Sequence, residues 1–546
     1  MKYLLFPLLL LAAVVWAVPP GDPVFPDVVA LSSTPLNAKT LKTTEADGVV
    51  TEEVTFHVEM DGEKSVDTFG YFVYPKGAKG LPAVIWNQSG LAPADTALAK
   101  YGVKRGYAML CFDYPNQGGG YRSTVKYSIN STLVLTDDIQ QAPIAHGAVA
   151  ALKAVSFLQS RPEVDPDRIG MCGNSWGGFY STLMAGLDPR LKACAASFGT
   201  GSLQLGCAWF RGVPDAATAE RWAATLDPGW RLAHAKTPML WVSATNDNFY
   251  WMPALMRSHA LAAGDKHLAI MPNWDHAAPN SVGMQFDWLD VYLQGKPRFL
   301  EVTPITITRK GRGVNAQWSF SGPPERAAAS AELALSYGAP GNWRSRPWRV
   351  LPVKITGGAC TVALPKSPLP YYLFGTVIDT DGARHSTPLV YVEPKEYGLL
   401  DPKANLPIDG CAEWGSFEKD QINWLNGQGY PAPKTAPSDK QGEQAAVLPA
   451  GTTTNFMRPY FIAGLNHRLT CYLKAEKPTT VTLRLSGQFD SSERMSADTF
   501  TVGTEWTRVT MDFPTLPAMW TDIRLTAAVP AGAPVLMDAL SFEPIR

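Results

Sequence analysis

The sequence predicts an α/β fold in which a doubly wound, mostly parallel sheet is followed by two all-β sandwich domains. Two observations carry this prediction. Between residues 81 and 297, short apolar runs alternate with helix-like stretches. After residue 297, short alternating runs are punctuated by Pro and Gly, and no long helical pattern returns. The chain has 546 residues, which predicts three or four domains at roughly 150 residues each.

Residues 1–17 have the pattern of a secretory signal peptide. Lys2 supplies the positive start, an uncharged apolar stretch follows, and the small residues Val15 and Ala17 suit a cleavage site. The apolar stretch is short for a membrane span and contains Pro7. We therefore expect a secreted or periplasmic protein without membrane contact after cleavage; an uncleaved anchor is the alternative.

The first predicted domain, residues 18–297, contains six short apolar runs that would form its sheet. Runs of this kind are typical of strands that helices cover on both faces. They are 81–86, 107–112, 168–172, 193–198, 239–243 and 267–271. Alternating residues over 49–74 predict antiparallel strands upstream. Apolar residues at helical spacing over 144–158 predict a helix with one buried face.

Residues 298–397 and 398–546 are predicted to form two β domains. The first has the length of one immunoglobulin-like sandwich. In the second, the stretch 430–452 is rich in Pro, Ala, Gly and Gln and is predicted to be a long loop. The clearest strands of the second domain are 470–475, 480–486, 506–513, 522–528 and 535–542.

Charge and cysteine content exclude several classes of protein. The chain has 48 Lys plus Arg against 49 Asp plus Glu, so it has no positive field to attract nucleic acid. Seven cysteines are too few for a disulfide scaffold, and none has zinc-binding spacing. Cys111 and Cys172 lie in strand-like runs and are predicted to be buried thiols. Disulfide pairing among the other cysteines stays open.

Residues 173–178 read GNSWGG, a G-x-S-x-G motif with Ser175 at its centre. The motif follows a predicted strand and precedes a helix-like segment, as in the sharp turn that exposes a nucleophilic serine. Glycines on either side let neighbouring backbones approach. The N-terminus of the following helix also favours the negative charge that develops during acyl transfer.

Asp247 and His276 complete a predicted catalytic triad with Ser175 in the order Ser, acid, His. Each follows a predicted strand, at the carboxyl end where doubly wound sheets build their sites. Ser175 is the predicted nucleophile, His276 the general base, and Asp247 the acid that orients His276. Asp275 is the rival acid, although its place next to His276 makes a good hydrogen bond to that ring awkward.

The oxyanion that forms during acyl transfer requires two backbone donors. We expect one from the N–H of Trp176, directly after the nucleophile. The other is expected from the loop after the run 81–86, where Gln88 is the predicted donor and Ser89 the alternative. This chemistry requires no cofactor.

Residues 49–297 resemble the α/β-hydrolase superfamily, especially bacterial acetyl xylan esterases and dienelactone-hydrolase-like or prolyl-oligopeptidase-like hydrolases. The resemblance lies in the stretch VDPDRIG at 164–170 and the GNSWGG turn that follows it. It implies a serine hydrolase that acts on carboxylic esters. Two departures matter. The family usually has His-Gly where this chain has Asn87-Gln88, and dienelactone hydrolases proper use Cys where this chain has Ser175.

Residues 412–546 resemble jelly-roll carbohydrate-binding and galactose-binding-like modules. The segments GSFE at 415–418, EWTRV at 505–509 and VLMDALSF at 535–542 match the first, middle and last strands of such modules. Flat aromatic rings would bind sugars there, whereas Trp506 is expected in the core. The candidate sugar-binding residues are Trp424, Tyr460 and Trp520. A purely structural module is the alternative.

The same resemblance implies a structural calcium ion in this module. Glu418 on the first strand and Asp538 on the last would supply the hard oxygen ligands that calcium prefers. Without a metal, the two residues would be an acidic pair on neighbouring strands.

These observations together predict a secreted serine carboxylesterase that removes acyl groups, acetyl in the first instance, from polysaccharide or another acylated saccharide. One alternative is a prolyl-oligopeptidase-like serine peptidase, but only about 80 residues precede the first central strand, too few for the propeller of that group. The other is a non-catalytic glycan-binding protein, which the intact triad disfavours.

Overall fold

The computed structural model describes most of the chain. The described residues are 22, 24–25, 28–61, 64–114, 122, 135, 137–208, 210, 215–234, 236–311, 313–406, 417, 433–457, 460–487, 496–515 and 523–545. The predictions made for residues 1–17, Glu418, Trp424 and Trp520 lie outside these residues.

A nine-stranded sheet of order β1-β2-β3-β5-β4-β6-β7-β8-β9 forms the N-terminal half of the chain. The first three strands form an antiparallel meander that joins β5, and the remaining neighbours pair in parallel. The strands are β1 (Lys39–Ala46), β2 (Val49–Asp61), β3 (Lys64–Pro75), β4 (Leu81–Asn87), β5 (Ala108–Phe112), β6 (Val164–Asn174), β7 (Ala193–Ser197), β8 (Met239–Ala244) and β9 (Lys266–Met271). All six predicted runs are strands of the parallel part of the sheet, with β9 at its edge, so the predicted mostly parallel sheet is confirmed.

Helices cover both faces of this sheet, because its central strands are apolar on both sides. They are α1 (Val28–Ser33), α2 (Ala97–Lys104), α3 (Pro143–Gln159), α4 (Trp176–Leu187), α5 (Ala216–Thr225), α6 (Gly229–Leu232), α7 (Met252–Leu261) and α8 (Ser281–Gln294). A short ninth helix, α9 (Pro394–Tyr397), lies further along the chain. Within the described part of the chain, none of the helices has the length and apolarity that crossing a membrane requires.

Helix α3 is buried around its whole circumference, although the sequence pattern predicts a single buried face. Every side chain from Ile144 to Leu158 is buried. The helix packs against the sheet on one side and against α1 and α4 on others. The ammonium of Lys153 donates hydrogen bonds to the carbonyls of Leu31 (2.9 Å) and Thr34 (3.0 Å). The N-terminal segment therefore covers the face that the pattern leaves polar.

Four sheets form two all-β sandwiches in the C-terminal half, as predicted. The first sandwich consists of β10 (Glu301–Val302), β11 (Thr306–Lys310), β12 (Gly313–Ser321), β13 (Ala328–Tyr337), β14 (Arg349–Val353), β15 (Ile355–Thr356), β16 (Ala359–Ala363), β17 (Tyr371–Asp379), β18 (Arg384–Ser386) and β19 (Val390–Val392). The second consists of β20 (Thr435–Pro437), β21 (Gln444–Leu448), β22 (Thr452–Met457), β23 (Asn466–Ala475), β24 (Thr479–Gly487), β25 (Ser496–Val502), β26 (Thr507–Phe513), β27 (Ile523–Val529) and β28 (Val535–Ile545).

The prediction of a long loop over 430–452 is wrong, because strands β20 and β21 lie within it. Ala446 and Leu448 of β21 pack in the core of the second sandwich. Strand β21 pairs with β28, whereas β20, which ends at Pro437, is the edge strand of its sheet. A proline at an edge position costs no ladder hydrogen bond, so this composition is compatible with strands.

The six cysteines among the described residues are all buried. Of these, Cys111, Cys172, Cys194, Cys360 and Cys471 are free thiols. The prediction of buried thiols at Cys111 and Cys172 is confirmed. Burial raises the pKa of the Cys111 thiol to about 12, so this thiol stays protonated and unreactive.

His467 should make the second sandwich sensitive to acid. Its buried ring donates from Nδ1 to the carbonyl of Leu465 (3.0 Å) and accepts at Nε2 from the N–H of Ile462 (3.1 Å). Burial lowers its pKa to about 4, whereas an exposed histidine titrates near pH 6.5. The unfolded chain therefore binds the proton first, and stability should fall as the pH drops from about 6.5 towards 4.

The measurement compares the melting temperatures of the wild type and His467→Gln at pH 7.5 and pH 5.0. Glutamine does not titrate, so the variant should lose about 2 kcal/mol less stability over this interval. The same loss in both proteins would contradict the assignment of acid sensitivity to His467.

Candidate active site

Ser175 occupies the sharp turn between strand β6 and helix α4. Its φ of 56° and ψ of −121° are strained for a residue with a side chain. Two hydrogen bonds hold the turn: the N–H of Ser175 donates to the carbonyl of Ser197 (2.8 Å), and the N–H of Phe179 donates to the carbonyl of Ser175 (2.9 Å). The strand-to-helix turn that the motif predicts is therefore present, with the serine at its apex.

Glycines surround the turn because other backbones touch it. A Cβ at Gly177 would overlap the carbonyl oxygen of Asn87, and a Cβ at Gly173 would lie 2.6 Å from the same atom. On the other side, a Cβ at Gly199 would overlap the backbone nitrogen of Phe179. The carboxyl end of β4, at Asn87, consequently lies directly against the turn that carries the serine.

His276 and Asp247 meet at the carboxyl edge of the sheet, in the loops after β9 and β8. Nδ1 of His276 lies 3.0 Å from Oδ1 of Asp247. The same oxygen accepts the N–H groups of Phe249 (2.7 Å) and Tyr250 (3.1 Å). An ionised carboxylate only accepts, so Nδ1 carries the ring proton. The other ring nitrogen, Nε2, is buried and has no hydrogen-bond partner among the described residues.

Asp275, the rival acid, does not contact the His276 ring through its carboxylate. Its Oδ1 accepts the backbone N–H of His276 and that of Asn248, each at 2.8 Å. Its Oδ2 lies 3.3 Å from Nη2 of Arg344. Asp247 is thus the carboxylate bonded to the ring, whereas Asp275 ties the two loops together.

Aromatic rings enclose the imidazole. The ring centroids of Phe249, Phe198 and Tyr250 lie 4.8, 5.4 and 6.1 Å from that of His276. Burial raises the pKa of the Tyr250 hydroxyl well above its usual value, so this group stays neutral at ordinary pH. These rings shield the imidazole from water, which strengthens its bond to Asp247.

The loop after β4 is braced by its own side chains. The amide of Gln88 donates to Oδ2 of Asp95 (2.7 Å) and accepts from Nε1 of Trp86 (3.3 Å). The amide of Asn87 donates to Oγ of Ser181 in α4 (3.1 Å). The side chains are therefore engaged in bracing the loop. The assignment of the Gln88 and Trp176 N–H groups to an oxyanion hole stays a prediction.

Two aromatic predictions for the second sandwich fall on described residues. The hydroxyl of Tyr460 donates to the carbonyl of Asn273 (3.3 Å), in the loop before His276. Tyr460 thus lies at a contact between the second sandwich and the hydrolase sheet, and its sugar-binding role stays a prediction. The expectation that Trp506 is a core residue is wrong: it is half-buried, and its Nε1 donates to Asp439 (2.6 Å).

Asp538 is buried in strand β28, where hydrogen-bond donors surround it. It accepts from the hydroxyl of Ser438 and from the N–H groups of Gln441 (3.1 Å) and Ala539 (2.6 Å). Calcium takes six to eight oxygen ligands, and these donors compete with a cation. The described residues contain no group of three or more His, Cys, Asp or Glu that could hold a metal. Since Glu418 lies outside the described residues, the calcium site stays a prediction.

Arg344 is a residue of this site that the sequence did not reveal. It lies in the first sandwich, outside the predicted hydrolytic domain, and 69 residues separate it from its partner Asp275. No motif marks it. The only local signal is a segment with three arginines and two tryptophans at 343–349, which by itself indicates no particular contact.

Residues 69–280 match the dienelactone hydrolase family, and this region includes Ser175, Asp247 and His276. YtaP of Bacillus subtilis, whose name calls it a hydrolase, is 27% identical over 176 residues, which cover 29% of this chain and 56% of YtaP. The alpha/beta hydrolase pydG of Acremonium sp. is 29% identical over 173 residues, which cover 29% of this chain and 37% of pydG. Each match thus spans about half or less of the relative's length.

A shorter match links the chain to acetyl esterase Axe7A of Xylanibacter ruminicola, which is 39% identical over 61 residues, or 11% of this chain and 14% of Axe7A. Among solved structures, the acetyl xylan esterase from Paenibacillus sp. R4 superposes with a TM-score of 0.41 at 19% identity, over 50% of this chain and 97% of that chain. Acetyl xylan esterase 1 from Thermoanaerobacterium sp. gives a TM-score of 0.41 at 18% identity, over 50% of this chain and 96% of that chain.

Proposed function

We propose that this hydrolase of the dienelactone hydrolase type is a secreted serine carboxylesterase that removes acyl groups, acetyl in the first instance, from polysaccharide or another acylated saccharide. One observation carries the proposal. A half-buried imidazole is bonded to a carboxylate at Nδ1 (3.0 Å), and its buried Nε2 has no hydrogen-bond partner among the described residues, at the same sheet edge as a strained serine. This is the arrangement that nucleophilic acyl transfer requires.

The proposed reaction begins when Oγ of Ser175 attacks the ester carbon. His276 takes the serine proton at Nε2, and Asp247 stabilises the imidazolium that results. Backbone N–H groups of Trp176 and Gln88 would stabilise the oxyanion. The imidazolium then gives its proton to the leaving alcohol, and an acyl-enzyme remains. Water, activated by the same imidazole, releases the acid and restores the serine.

The acetyl group rests on the short similarity to an acetyl esterase. Secretion rests on the signal pattern of residues 1–17. The saccharide rests on the resemblance of residues 412–546 to carbohydrate-binding modules and on the short similarity to an acetyl esterase.

The test measures kcat/KM of the purified full chain on 4-nitrophenyl acetate, butyrate and octanoate, on acetylated xylan, and on a prolyl peptide amide. We expect the acetyl ester to be preferred, acetate to be released from the xylan, and the amide to stay intact. Cleavage of the amide without cleavage of esters would replace the proposal by a serine peptidase. No turnover of any of these substrates would overturn it.

Two further measurements address location and substrate. The mature protein is expected outside the cytoplasm with an N-terminus that follows Ala17. Retention of the full chain on insoluble acetylated xylan, at a pH where the ester is stable, is expected from the second sandwich. No retention on any glycan would overturn the glycan-binding role of the second sandwich while leaving the esterase assignment intact.

A further inference from the structure

We infer that Arg344, in the first sandwich, is a positioning residue of the hydrolytic site. It holds the carboxylate of Asp275, and Asp275 in turn fixes the loop of His276 against the loop that carries Asp247. The inference rests on the proposed function, because it concerns the geometry of the same triad. It also goes beyond that function, since it makes a second domain part of the catalytic centre.

Asp275 lies between the loop that carries Asp247 and the loop that carries His276. Its Oδ1 accepts the N–H of Asn248, next to Asp247, and the N–H of His276 itself, each at 2.8 Å. A single carboxylate oxygen thus binds both loops. Any displacement of Asp275 would change the distance between Asp247 and the imidazole, on which proton transfer depends.

An ion pair with Arg344 holds the carboxylate of Asp275. Nη2 of Arg344 lies 3.3 Å from Oδ2 of Asp275, and the two side chains are only 5% and 8% exposed. A buried carboxylate without its cation is unfavourable and moves or takes up a proton. Removing the charge of Arg344 would therefore disturb the carboxylate of Asp275.

Hydrogen bonds connect the segment around Arg344 to the two loops. Nδ2 of Asn246, which precedes Asp247, donates to the carbonyls of Arg344 (2.8 Å) and Arg346 (2.9 Å). The amide of Asn273 donates to the carbonyl of Trp348 (2.7 Å) and accepts its N–H (3.0 Å). The segment 342–348 consequently contacts the loops after both β8 and β9.

The segment 342–348 is itself held rigidly by hydrogen bonds. The buried guanidinium of Arg346 donates to the carbonyls of Ala339 (2.7 Å), Gly338 (3.0 Å) and Tyr337 (3.1 Å). The amide of Asn342 donates to the carbonyl of Phe461 in the second sandwich (2.7 Å). These hydrogen bonds fix the backbone that carries Arg344, and a positioning residue requires a rigid backbone.

The test uses the full chain with Arg344→Gln, Arg344→Lys, Asp275→Asn and the double variant Arg344→Gln/Asp275→Asn. The matched control is Arg326→Gln. Arg326 is also a buried arginine of the first sandwich, paired with Asp379 at 3.0 Å, but it contacts neither catalytic loop. Melting temperatures are recorded for all variants, so that a loss of folded protein is separated from a loss of catalysis.

For Arg344→Gln we expect kcat on 4-nitrophenyl acetate to fall about 10- to 100-fold, with KM within about threefold of the wild type. Arg344→Lys, which keeps the charge, should recover most of kcat. The double variant should be no slower than the slower single variant, because both substitutions break the same ion pair between Arg344 and Asp275. Arg326→Gln should keep kcat within about threefold of the wild type.

Two results would overturn the inference: kcat of Arg344→Gln no lower than that of Arg326→Gln, or losses that multiply in the double variant. If the wild type hydrolyses no ester, the proposed function fails, and the variants are compared by the rate at which a fluorophosphonate labels Ser175. That rate depends on the triad but on no ester substrate. Equal labelling rates for Arg344→Gln and Arg326→Gln would then overturn the inference on its own, and a wild type that is not labelled would overturn both.

Discussion

Replacing Ser175 with Ala should lower kcat for ester hydrolysis by about 10⁴- to 10⁶-fold. The substitution removes the oxygen that attacks the ester, and no other described group can take its place at the apex of the turn. The fold should survive, because Ala adopts the φ of 56° at the same cost as Ser and the backbone hydrogen bonds of the turn remain. Steady-state kinetics on 4-nitrophenyl acetate, together with the melting temperature, check both parts.

Ser197→Ala is the matched control. Ser197 ends the neighbouring strand β7 and is fully buried, and its Oγ has no hydrogen-bond partner among the described residues. The same hydroxyl deletion should therefore leave kcat within about threefold of the wild type. A Ser175→Ala variant that keeps more than a few per cent of activity, or equal losses in the two variants, would remove Ser175 as the nucleophile.

Asp247→Asn should lower kcat by about 10³- to 10⁴-fold with little change in shape. Oδ1 of Asp247 accepts the N–H groups of Phe249 and Tyr250 as well as Nδ1 of His276. An asparagine would keep its oxygen towards the backbone donors or turn its amide towards the ring. With the amide donating, the imidazole carries its proton at Nε2 and cannot accept one from serine.

The control for this prediction is Asp275→Asn, one residue from His276 and isosteric in the same way. Its carboxylate accepts backbone N–H groups and pairs with Arg344, so its loss should cost no more than about 100-fold in kcat. A larger loss for Asp275→Asn than for Asp247→Asn would make Asp275 the acid of the triad. Both variants are compared at the same pH and at saturating ester.

Periodicity predicted the central sheet because each parallel strand is a short apolar run with a helix on either side. It did not predict strands β20 and β21, whose Ala-rich composition has low β propensity. Strand β20 pairs with β21, and β21 pairs with β28. The pairing with β28 involves residues roughly 90 positions away in the sequence. Helix α3 shows the same limit, since residues more than 100 positions upstream cover its polar face.

The motif and the positions of the strand ends predicted from the sequence that Ser175, Asp247 and His276 form one site. The sequence favours Asp247 over Asp275, because a residue next to His276 in the chain bonds poorly to that ring, and the hydrogen bond between Asp247 and Nδ1 of His276 agrees with this choice. Arg344 could not be found from the sequence, because a contact between two domains leaves no local pattern in either one.

The segment 342–348 has a practical consequence for how this chain is divided. The nine-stranded sheet ends before residue 300, and a fragment cut there would contain Ser175, Asp247 and His276. It would nevertheless expose Asn246, Asn273 and Asp275, which in the full chain are bonded to backbone and guanidinium groups of the first sandwich. The smallest fragment that keeps the contacts around Asp247 and His276 therefore includes the segment 342–348 and is longer than the domain that contains the nine-stranded sheet.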